Sequence, residues 1–321
     1  CGHSLLPPNL SPSEPDMLYV LLGALAFLSL STFTGLFLRS RRQPNVPEWL
    51  DNLVARNTAW WIMIAVFSCA VALGTGGITA LFIFVSFNAL REFATLAPSR
   101  PADYRALLWS FIVFLPLQYG LILHNWYGLY SILIPVYAFL ILPCFTAFSG
   151  DATRFLDRVA RVQWGLMLCV YCLSHIPALL MLPLGDPALN IQLVVFLVAV
   201  VEASDVLQYL CGKTLGRHKL APSISPSKTV EGLIGGIALA TLLGGGLSFL
   251  GPFTFVQGLA ISFVITCMGF CGGFVLSAIK RDHKVKDWGC LIQGHGGMLD
   301  RVDSLCFAAP VFFHIVRYWW T

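Results

Sequence analysis

Long apolar stretches alternate with short polar ones along the whole chain. The apolar runs fall near residues 18–38, 59–75, 78–97, 106–123, 129–148, 164–183, 189–210, 232–250, 256–279 and 305–320. Several approach the roughly 20 residues an α-helix needs to cross a bilayer. Glycine and proline inside such a helix are tolerated. The pattern therefore predicts about ten spanning helices, with eight or nine if a short run is re-entrant.

The polar connections divide by charge. Nineteen of the 20 Lys and Arg residues, from Arg39 to Arg301, lie in alternate connections or, for Arg91, in the end of the run that leads into one. The other connections (1–17, 76–77, 124–128, 184–188 and 251–255) carry none, and Arg317 lies in the last run. Positive charge marks the cytoplasmic side. The expected topology is a multi-pass protein of the cell (inner) membrane, N-terminus outside, with loops 211–231 and 280–304 in the cytoplasm. Residues 1–17 are expected to form a flexible extracytoplasmic tail, and 18–321 a single integral-membrane domain.

Composition agrees. Only 11% of the 321 residues are charged and 57% are hydrophobic, against roughly 25% charged in soluble domains. A soluble globule, a disordered chain and a coiled coil are excluded. A β-barrel is disfavoured because the runs are continuous rather than alternating. The fold class expected is all-α and polytopic. Cys69, Cys144, Cys169, Cys172, Cys267 and Cys271, with Cys169 and Cys172 forming a C-x-x-C, sit within apolar runs and read as small packing residues.

Candidate chemistry concentrates in about 200–304. Glu202 and Asp205 share a helical face at i, i+3, and acids at membrane depth are usually functional; interfacial solvation is the alternative. The loop from Gly212 to Gly232 combines Gly, Ser, Thr and four cations, a composition suited to a polyphosphate. It lacks Walker spacing, and a basic loop on anionic headgroups is its other reading. The densest segment runs from Ser277 to Ser304. Its five cations suit phosphates. Asp287, Asp300 and Asp303 suit a hard cation such as Mg2+, and Asp300 and Asp303 are again i, i+3. Gly294, Gly296 and Gly297 allow close backbone approach. Metal, cations and backbone amides are the parts of phosphoryl or nucleotidyl transfer. His295 reads equally as a structural hydrogen-bonding residue.

This last segment resembles the signature of the phosphatidate cytidylyltransferases (CDP-diacylglycerol synthases): S-x-x-K-R, four residues, K-D-x-G, then G-H-G-G-x-x-D-R-x-D. The stretch from Lys219 to Gly232 resembles that family's preceding block, and Asp205 its acidic residue. The resemblance implies that CTP and phosphatidate give CDP-diacylglycerol and pyrophosphate with Mg2+, a monovalent cation such as K+ being a further candidate. It implies catalytic roles for Lys228, Lys286, Asp287, His295 and Arg301. It implies substrate binding by Asp205, Ser225, Thr229, Ser277, Lys280, Arg281, Gly296 and Gly297, and metal ligation by Asp300 and Asp303. Membrane lipid is an implied partner, a homodimer is a candidate assembly, and no nucleic acid is expected.

The chain departs from the family pattern at three places. Gly273 stands where the family usually has a metal-associated Asp, Leu276 where it has Glu, and Gln293 where it has Pro. Gly273 motivates a second reading, a weakly active or inactive homologue that binds lipid or CTP. A third, a transporter with Glu202 and Asp205 as an ion site, is weakened by the absence of an evident inverted repeat.

Overall fold

The computed structural model describes residues 14–41, 48–96, 100–289 and 296–321. Among these, ten helices follow one another, with a short 3-10 turn (Ser248–Leu250) between the eighth and ninth: α1 (Glu14–Arg41), α2 (Glu48–Ala72), α3 (Gly74–Leu96), α4 (Pro101–Leu123), α5 (Tyr127–Ala147), α6 (Phe155–Met181), α7 (Pro187–Leu215), α8 (Val230–Gly246), α9 (Phe255–Asp282) and α10 (Leu299–Trp320). Each expected apolar run has its helix. The count of ten spans is not reached in the same sense. Seven helices are long and apolar enough to cross a membrane, while α8 and the apolar part of α2 (Asn57–Ala72) are shorter. In α10 the apolar stretch begins only after Asp300, Arg301 and Asp303.

Helix α1 begins at Glu14, inside the expected tail. Asp186 caps α7 by accepting from the Ala188 N–H, with Pro187 following. Thr254 and Gln257 form a capping box on α9. Helices α4, α5 and α6 each contain a π-helical stretch, at Ser110–Phe114, Leu133–Ala138 and Met167–Cys172. Leu30, Phe33, Ile112, Leu140 and Leu242 point outward, each more than half exposed. An apolar exterior of this kind suits lipid rather than water.

The core lies where α3, α6, α7 and α10 meet, around Ile176, Phe196, Leu197, Phe312 and Phe313. Helix α9 packs between α8 and α10. At the opposite end from the charged loops, the Arg317 guanidinium covers the Tyr127 ring and Trp320 Nε1 donates to the Pro252 carbonyl. One departure from an all-helical reading is a two-stranded antiparallel hairpin, β1 (Lys219–Ala221) with β2 (Ser225–Thr229). It is short, and its turn is closed by the Ile224 N–H donating to the Ala221 carbonyl; Pro226 is tolerable in β2 because the strand is an edge.

Candidate active site

Helices α7 and α8 approach closely because both present glycine. A Cβ on Gly232 would lie 2.7 Å from Gly212 Cα, and one on Gly236 would lie 2.5 Å from Gln208 Cα. Small residues are the usual means of close helix contact in membranes. The hairpin is held over this joint. Thr229 Oγ1 accepts from the Gly232 N–H at 3.1 Å and caps α8. Glu231 accepts from the Arg217 and His218 N–H groups and pairs with the His218 ring at 2.5 Å. Thr229, expected among the substrate-binding residues, thus directs its hydroxyl to the cap. Ser225 is buried in β2 opposite Ala221.

The hairpin delivers Lys228 to a group of acids. The Ser304 hydroxyl donates to Asp205 Oδ2 at 2.7 Å and lies 3.4 Å from Asp303 Oδ1, so one hydroxyl joins the two carboxylates. Lys228 Nζ stands 4.6 Å above the Phe270 ring. Burial pushes the Lys228 ammonium below the ordinary lysine range, and Asp303 and Asp205 oppose that shift. Gly273 sits in the middle. A Cβ there would lie 3.4 Å from Ser304 Oγ, 3.5 Å from Lys228 Nζ and 3.6 Å from Asp303 Oδ2, all ordinary contacts. Its neighbour differs: a Cβ on Gly272 would lie 2.7 Å from the Asp303 carbonyl oxygen. Packing requires glycine at 272 and leaves room at 273.

A second group surrounds Asp300. Its Oδ1 pairs with Lys280 Nζ at 2.7 Å, and Oδ2 accepts from the Trp288 and Gly297 N–H groups at 2.8 and 2.9 Å. Gly296 has φ +80°, and a Cβ there would lie 2.6 Å from Asp300 Oδ2. Helix α9 ends at Asp282 in a Schellman-type turn, the Val285 N–H donating to the Lys280 carbonyl with Lys284 at φ 58°. Arg281 then ties this turn to the hairpin, donating to the Ile224 and Val285 carbonyls at 3.1 and 3.0 Å.

The expected residues thus separate. Asp205, Lys228 and Asp303 converge; Lys280, Gly296, Gly297 and Asp300 form the adjoining clamp. The Ser277 hydroxyl donates to the Gly273 carbonyl of its own helix at 2.6 Å. Arg301 is within electrostatic reach of Glu202. Lys286 and Asp287 are exposed. His295 and Gly294 lie outside the described residues.

Sequence reasoning passed over Glu92, because residues 18–200 read as helices poor in chemistry. Glu92, on α3, accepts from the Met298 and Leu299 N–H groups at 2.8 and 2.9 Å. The available signal was an acid inside the apolar run 78–97.

Mg2+ usually takes one or two protein carboxylates and completes its six oxygens from water and substrate phosphates. Asp205 and Asp303, joined at Ser304, fit that donor set. Asp300, expected as a ligand, has both oxygens committed to a cation and two amides. Among the described residues no group of three or more His, Cys, Asp or Glu side chains could cage an ion.

Residues 54–319 match the model of the Cytidylyltransferase family. The chain is 42% identical over 297 residues to uncharacterized protein YnbB of Escherichia coli (strain K12), covering 91% of this chain and 96% of that one. It is 32% identical over 212 residues to the phosphatidate cytidylyltransferase of Bacillus subtilis (strain 168), covering 65% and 76%. It is 38% identical over 149 residues to the phosphatidate cytidylyltransferase of Rickettsia bellii (strain RML369-C), covering 44% and 64%.

Proposed function

The chain belongs to the cytidylyltransferase family, and from that premise we propose that it transfers the cytidylyl group of CTP to phosphatidate, giving CDP-diacylglycerol and pyrophosphate. The observation that carries this reading is the meeting of Asp205, Lys228, Asp303 and Ser304 around Gly273, from four separate elements. The same residues lie within the matched segment.

A phosphate oxygen of phosphatidate attacks the α-phosphorus of CTP. The bond from that phosphorus to the oxygen bridging to the β-phosphorus breaks, and pyrophosphate leaves with the electron pair. The attacking group is already an anion near neutral pH, so no general base is needed. Lys228 sets a positive charge beside the phosphate oxygens that gain negative charge. Asp205 and Asp303 would hold Mg2+, which when bound neutralises the triphosphate and polarises the α-phosphoryl group. The basic connections favour the cytoplasmic side for this end, where a soluble nucleotide meets a lipid headgroup.

Gly273 favours a second reading, a homologue that binds CTP or lipid without turnover, since no carboxylate occupies that position. Pyrophosphate release from CTP separates the two. Release that requires phosphatidate, and not diacylglycerol, supports the transferase; CTP binding with no release under any lipid supports the second reading.

A further inference from the structure

Glu92 is 5% exposed and lies in α3, which contributes none of the side chains grouped around Gly273. Its two oxygens accept from Met298 and Leu299, whose N–H groups belong to the start of α10 and have no acceptor within the helix. Met298, at the N-cap position, offers no side-chain cap of its own. The cap therefore comes from a residue 207 positions away from Leu299, and a carboxylate there also complements the helix dipole.

The same carboxylate limits both flanks of the preceding segment. A Cβ on Gly289 would lie 3.0 Å from Glu92 Oε1, and one on Gly297 would lie 2.6 Å from Glu92 Cδ. The next residue on α3, Phe93, adds a second hold on this segment by stacking on Trp288 at 5.2 Å. Within two turns after Leu299 come Asp300, Asp303 and Ser304. A shift or rotation of the first turn of α10 displaces all three relative to Lys280, Lys228 and Asp205.

We infer that Glu92 is a positioning residue: through the first turn of α10 it sets where Asp303 and Ser304 stand relative to Lys228 and Asp205. Its effect on turnover rests on the proposed nucleotidyl transfer; the anchoring itself does not.

Glu92→Gln in the full-length protein in detergent tests this. The amide keeps the size and one acceptor oxygen, but turns an NH2 toward a backbone N–H. The expected kcat falls on the order of 10- to 100-fold, as for a small misplacement of reacting groups, while the CTP KM and the melting temperature stay close to wild type. Tryptic cleavage at Lys284 and Lys286 accelerates, because the segment between α9 and α10 has lost an anchor. Unchanged kcat and cleavage overturn the inference. A lowered melting temperature with unchanged kcat also overturns it, leaving Glu92 as a stabilising cap alone. If wild type shows no turnover with CTP, the proposed reaction fails, and the cleavage rates still decide whether Glu92 anchors this segment.

Discussion

Lys280 Nζ and Asp300 Oδ1 are 2.7 Å apart, with side chains only 11% and 8% exposed. Asp300 also receives two backbone N–H groups, so it joins the end of α9 to the start of α10. Asp303, one turn on, faces Ser304 and the opening at Gly273. The two acids of one motif therefore have different surroundings. Asp300→Asn removes the carboxylate that directly contacts Lys280 and is expected to cost about 3–5 kcal/mol, the range for breaking a buried pair. Asp303→Asn is expected to unfold near wild type and to lose on the order of 10²–10³ in kcat. Thermal unfolding and turnover, measured on both variants, check the contrast.

Gly273→Asp is expected to fold, because a Cβ there meets nothing closer than 3.4 Å. The new carboxylate stands beside Lys228 and Asp303 and would add an oxygen ligand to the two of the proposed Mg2+ site. The Mg2+ concentration for half-maximal turnover should fall, or turnover should appear where wild type has none. Mg2+ should also raise the melting temperature more than in wild type, since binding to the folded state adds stability. Gly272→Ala is the control: its Cβ meets the Asp303 carbonyl at 2.7 Å, and overpacking of this kind costs about 1–3 kcal/mol.

Lys228→Met keeps an unbranched side chain one atom shorter over Phe270 and removes the charge. The expected loss in kcat/KM for CTP is on the order of 10²-fold, the scale for one preorganised electrostatic group. Melting should change little, since burial already opposes the charged form of this lysine. Steady-state kinetics with varied CTP check it.

Away from the site, Arg158 holds two acids. Its Nε is 3.1 Å from Asp103 Oδ1 and its Nη1 is 2.6 Å from Asp151 Oδ2, with the arginine side chain 4% exposed. Arg158→Met strands the buried Asp103 and should cost about 3–5 kcal/mol. Adding Asp103→Leu should recover most of it, a coupling that a double-mutant cycle of unfolding measurements reads directly.

The helices were legible because each is an apolar run of its own, and the C-terminal motif segment because its charges and glycines are dense and contiguous. The hairpin was not, since Lys219–Ala221 and Ser225–Thr229 are too short and polar to alternate visibly. The i, i+3 spacing of Asp300 and Asp303 suggested a shared ligand role, but spacing does not show that Lys280 and two amides take up the oxygens of Asp300. Glu92 was hidden for a related reason. Its partners are backbone N–H groups more than 200 positions away, and backbone groups leave no signature in sequence. Gly296 and Gly297 were read as room for a ligand; the structure gives each a near neighbour within the protein, Asp300 for the first and Glu92 for the second.

The most direct measurement follows CTP labelled at its α-phosphate, incubated with purified protein, phosphatidate in detergent micelles and Mg2+. The account predicts label in the lipid-extractable product as CDP-diacylglycerol, with one pyrophosphate per product and almost none from Asp303→Asn. CTP that binds yet leaves no label in lipid, at any Mg2+ concentration, would contradict it.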